Sequence, residues 1–106
     1  MKKLLVTLLF LGGISTLSHG QTRIPPTVQK LLQKNTCLAC HNADKRLVGP
    51  AYKEVMKKKK YKAEDIVKLI YKPNPKNWPG YPPMAAMTQV PKNEALIIAK
   101  WIAGLK

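Results

Sequence analysis

The chain has 106 residues, enough for one small domain and no more. Its two cysteines stand three positions apart, so a bridge between them would close a trivial loop, and a disulfide framework is excluded. Nineteen lysines and arginines against five acids give a formal charge of +14, which points to an acidic partner surface or an anionic membrane before nucleic acid.

The first twenty residues read as a secretory signal peptide. Met1-Lys2-Lys3 is a short basic start, Leu4 to Leu11 is apolar apart from Thr7, and small residues, Ser18 and Gly20, precede the expected cut. The apolar run is less than half of the ~20 residues that a spanning helix needs. Residues 1–20 are therefore expected to be removed and residues 21–106 to form the domain, exported to the periplasm. The two lysines lost with the leader lower the formal charge from +14 to +12.

Four helical segments follow, and no strand is expected. Val28, Leu31 and Leu32 recur at helical spacing after Pro25-Pro26, a plausible helix start. Cys37-Leu38-Ala39-Cys40-His41 is the C-x-x-C-H pattern of c-type haem attachment. One helical turn brings both thiols to the two vinyl edges of a single porphyrin, and the adjacent His41 then reaches the iron. A zinc site would need four ligands; this stretch supplies three, and the other histidine, His19, lies in the leader. A thioredoxin-like reading would need a βαβ context that the pattern lacks. A large apolar cofactor would also fill the core of so small a domain.

Gly49-Pro50 opens the second segment, in which Tyr52, Val55 and Met56 share a face. The third runs from about Ala63 to Lys72, with Glu64 and Asp65 early, Lys68 and Lys72 late, and Ile66, Leu69 and Ile70 as its stripe. Five prolines between Pro73 and Pro83 make the next stretch a loop of restricted backbone freedom. The last helix starts near Pro91 and runs almost to Lys106, with Ile97, Ile98, Trp101, Ile102 and Leu105 as its stripe. Ala95, Ala99 and Ala103 keep a narrow strip on which the first helix is expected to pack.

The iron has a second axial position, and the processed chain has no second histidine. Met56 reads as core, which leaves Met84, Met87 or an open site. Tyr81-Pro82-Pro83 stiffens the approach to Met84 and limits the entropy that a weak thioether ligand must overcome. Met87 follows Ala85-Ala86 and reads as packing.

These residues together resemble the small bacterial class I c-type cytochromes, soluble single-haem electron carriers. The resemblance spans Leu31 to His41, Val48-Gly49-Pro50-Ala51-Tyr52, Trp78 to Met84 and Ala99-Lys100-Trp101-Ile102. It implies the class I cytochrome c fold, all-α, with about four helices wrapped around one thioether-linked haem c. It further implies that the Pro50 carbonyl accepts the His41 Nδ1–H, that Trp78 lies near a haem propionate, and that Met84 is the distal ligand. Two departures are present. Ala85-Ala86, rather than two prolines, follow Met84, and the stretch from Met84 to Trp101 is about one residue longer, which keeps Met87 open as the alternative.

An iron with both axial positions filled by the protein changes oxidation state with little rearrangement, so electron transfer is the expected function and catalysis is not. A peroxide-active or gas-sensing haem would want a polar group, usually histidine, beside the iron, and the loop offers none. The expected partners are acidic surfaces of redox proteins, such as an oxidase, a reductase or a cytochrome complex, met by a monomer. The crowd of Lys53, Lys57, Lys58, Lys59, Lys60 and Lys62 is the candidate docking face, with peripheral contact to anionic membrane as the alternative and no role in nucleic-acid binding.

Overall fold

The structure, a computed structural model, describes residues 12–14 and 20–106. Residues 1–11 and 15–19, which carry most of the expected signal peptide, lie outside the described residues. Among the described residues there are four α-helices and no strand: α1 (Pro26–Lys34), α2 (Tyr52–Lys59), α3 (Ala63–Tyr71) and α4 (Lys92–Ala103). Two single 3-10 turns, Cys37–Ala39 and Pro75–Asn77, interrupt the connections. No described helix is long and apolar enough to cross a membrane.

Local chemistry sets the helix ends. Pro26 occupies the first turn of α1, where its missing N–H costs nothing. The Asn35 amide closes the other end by donating to the Leu31 carbonyl at 2.9 Å. Lys60 ends α2 in the left-handed region at φ 49°, its N–H bonded to the Met56 carbonyl. Asp65 accepts the Lys62 N–H at 3.0 Å and so satisfies one free donor at the start of α3. This helix stops at Tyr71, one residue earlier than expected, because Lys72 precedes Pro73 and leaves the helical region at φ −138° and ψ 77°.

The core joins all four helices through Val28, Leu32, Tyr52, Met56, Ile66, Ile98, Ala99 and Ile102. Helix α4 touches each of the others and packs most extensively on α3. Two expectations for α4 are corrected. It ends at Ala103, since Gly104 caps it, and Ile97 is not part of the buried stripe but 41 % exposed. The buried line is Ala95, Ile98, Ala99 and Ile102, spaced three and four residues apart, and Ile97 falls one step outside it. Met56 is buried beside Tyr52 in the core, as its helix position suggested.

Candidate functional site

Between α1 and α2 the chain runs through the cysteine pair and His41 without regular structure apart from the Cys37–Ala39 turn. Thr36 introduces this turn at φ 59°, a left-handed conformation rarely taken by a β-branched residue. The His41 N–H then bonds the Cys37 carbonyl at 2.9 Å, so both thiols and the imidazole leave one tight turn.

The imidazole of His41 is held from three directions. Its Nδ1 lies 2.8 Å from the Pro50 carbonyl oxygen. A carbonyl can only accept, so Nδ1 carries the proton and Nε2 keeps its lone pair. The Tyr52 ring stacks on the imidazole at 4.9 Å between centroids and 20° between planes, and Trp101 meets Tyr52 edge-on at 5.8 Å. On another side Gly49 approaches so closely that a Cβ there would stand 2.5 Å from His41 Cε1. Burial pushes the imidazole below the usual histidine range, partly opposed by the Pro50 bond, and favours the neutral ligand form. Burial likewise pushes the Cys37 thiol up and is the main reason that the Tyr52 phenol stays protonated.

His41, Gly49, Pro50 and Tyr52 line a cavity of about 460 Å³, within the ~300–1,000 Å³ range of small-molecule and cofactor sites. Cys37, Cys40, His41 and Pro50 form one part of its wall. Leu69 and Ile70 of α3, with Ile98 and Ile102 of α4, supply apolar lining. The loop residues Trp78, Met84 and Met87 complete it. All six sequence-predicted site residues, Cys37, Cys40, His41, Pro50, Trp78 and Met84, therefore border the same space.

The cavity fits a haem by its own chemistry. It is mostly apolar, it presents two thiols on one turn, and it holds an imidazole with a free Nε2. Gly49 leaves room where any side chain would displace that ring. Both methionines remain near, and their surroundings differ. Met84 is 40 % exposed and sits between two stiff prolines and two alanines. The Met87 N–H bonds the Ile70 carbonyl at 2.9 Å, and its sulfur lies 4.0 Å from the Gln89 amide.

Several contributors were missed in the sequence. Gly49 read only as a helix opener, and Tyr52 as core; the Gly-Pro-Ala-Tyr run, placing a glycine and an aromatic beside a proline, was the available signal. Arg46 gave no signal, since the carbonyl that it bonds, that of Gly80, lies 34 residues along the chain.

The model of the family described as cytochrome c matches residues 27–106. Cytochrome c-551 of Stutzerimonas stutzeri is 35 % identical over the full length of both chains. Cytochrome c2 of Rhodocyclus tenuis is 40 % identical over 72 % of this chain and 89 % of its own. The crystal structure of wild-type Nitrosomonas europaea cytochrome c552 superposes with a TM-score of 0.66 at 33 % identity, covering 74 % of this chain and 99 % of that one. With its four-helix fold, its apolar cavity and its C-x-x-C-H turn, the chain belongs to the cytochrome c family, as a small bacterial class I c-type cytochrome, a haem c protein that carries electrons.

Proposed function

We propose that the chain is a periplasmic electron shuttle whose haem is attached through Cys37 and Cys40 and ligated axially by His41 and Met84. The observation that carries this reading is the convergence of two thiols, a Pro50-oriented imidazole and Met84 on one apolar cavity. When bound, the haem supplies a one-electron iron couple, and Met/His ligation favours a raised potential. The protein's residues do the rest. Pro50 fixes the imidazole plane and leaves Nε2 free, as outer-shell acceptors do for metal-bound histidines. Tyr52, Ile98 and Ile102 exclude water, which disfavours the more highly charged ferric state. Residues 1–20 act as the cleaved export signal, and the monomer meets its partners by charge.

The lysine cluster suits that last role. Lys57, Lys59 and Lys60 are exposed at the end of α2. Lys58 and Lys59 place their ammonium groups 5.6 and 5.7 Å from the centroid of the Trp78 ring, and Trp78 borders the cavity. A partner with an acidic surface docked on these lysines would stand close to the haem cavity. Lys53 is less available, because it pairs with Asp44 at 3.4 Å.

The ligand assignment is tested by paired substitutions. Met84→Ala is expected to abolish the weak iron–sulfur charge-transfer band of the ferric protein and to lower its potential, while Met87→Ala keeps both. Loss of the band in the Met87 variant instead would transfer the assignment to Met87.

A further inference from the structure

Met84 has little to hold it. The residue is 40 % exposed, and a thioether binds iron weakly, so ligation depends on how well residues 78–84 are fixed. This loop lacks helix or strand after the Pro75–Asn77 turn. Gly80 turns it at φ +87°, a conformation that side-chain-bearing residues avoid, and the carbonyl of Gly80 accepts a hydrogen bond from Arg46 Nη2 at 3.0 Å. The same guanidinium lies 3.9 Å from the centroid of the Tyr81 ring, in cation–π contact. One side chain from the haem-attachment segment thus grips two successive residues of the opposite loop.

Tyr81 is held from its other end as well. Its hydroxyl donates to Glu54 of α2 at 3.2 Å, and Glu54 pairs with Lys58 at 2.9 Å. The Lys58 ammonium, and after it the Tyr81 hydroxyl, hold the Glu54 carboxyl below its ordinary range, so it is an ionised acceptor at neutral pH. Between Tyr81 and Met84 stand only Pro82 and Pro83, whose rings fix φ. A fixed Tyr81 therefore passes its position to the Met84 backbone. Beyond Met84, the Met87 N–H bond to Ile70 tethers the other side of the loop.

We propose that Arg46 is a positioning residue that latches the Met84 loop over the cavity, setting how often the distal thioether leaves the iron. The proposal rests on Met84 as distal ligand. Arg46 itself is exposed and each of its two contacts is individually modest, so the effect belongs to ligand exchange rather than to folding.

Imidazole binding to the ferric holoprotein, followed in the visible spectrum, tests it, because imidazole reaches the iron only when the methionine has left. The apparent affinity scales with the open fraction. Arg46→Met is expected to raise that affinity about three- to tenfold, and Tyr81→Phe, which keeps the ring beneath Arg46 but loses the Glu54 bond, by less. Adding Arg46→Met to Met84→Ala should change nothing further, since no ligand is left to latch. An unchanged affinity in Arg46→Met, with a raised one in Met84→Ala, would overturn the latch and leave the ligand assignment standing. An equal rise from Arg46→Met in both backgrounds would also overturn it. If Met84→Ala leaves both the affinity and the charge-transfer band intact, the ligand assignment itself is wrong and the latch falls with it.

Discussion

His41 owes its orientation to neighbours that meet it from different directions, the Pro50 carbonyl at the ring edge, the Tyr52 ring on its face and the bare Cα of Gly49. Gly49 is the least replaceable of the three. Its φ is not unusual, so the requirement is space alone, and a methyl group at 2.5 Å from Cε1 forces the imidazole off the line set by Pro50. Gly49→Ala is expected to cost about 1–3 kcal/mol in stability, as overpacked sites do, and to weaken the low-spin haem spectrum. Thermal unfolding and the ferric visible spectrum check both halves; a variant with the wild-type spectrum and stability would show that the ring has room to yield. The cysteines and His41 were legible in the sequence because the chemistry demands them at fixed spacing on one turn. The glycine's role was not, because it depends on where a side chain eight residues away comes to rest.

At the scale of elements, helix periodicity, proline starts and the charge order of α3 were enough to place four helices, since each signal is local. What periodicity left ambiguous was the rotation of α4. Its sequence is apolar from Ala95 to Ala99, so Ile97 and Ile98 compete for the core, and only packing against α1 and α3 decides for Ile98. A second feature absent from any local pattern is the tie between α1 and α4. Lys34 pairs with Glu94 at 2.9 Å, with side-chain exposures of 64 % and 9 %, and the Asn35 amide lies 3.4 Å from the same carboxylate. Because Lys34 remains largely in water, its removal should cost only about 1–2 kcal/mol, through the carboxylate left nearly buried. Lys34→Met is expected to show that loss in chemical denaturation, and Lys34→Met combined with Glu94→Gln to recover part of it. No recovery in the double variant would mean that packing of the lysine stem, and not charge, stabilises the helix pair.

For the whole molecule, charge and cavity are placed together. The chain carries +14, and its densest cationic run ends α2 beside Trp78, at the border of the cavity. Sequence alone showed the lysines but not their neighbour, because the contact joins segments about twenty residues apart. Electron transfer to an acidic partner should accordingly slow steeply as salt rises across the range where the Debye length falls from ~30 to ~8 Å. Lys57→Glu and Lys59→Glu should flatten that dependence in stopped-flow measurements, and an unchanged slope would reduce the cluster to a solvated face. Whether a haem held by Cys37, Cys40, His41 and Met84 carries electrons is decided by spectroelectrochemical titration of the purified, haem-loaded protein. One reversible one-electron wave at positive potential is expected, with low-spin spectra in both states and an iron–sulfur charge-transfer band in the oxidised state alone. A high-spin spectrum with an open iron position, or a protein that carries no covalent haem, would contradict it.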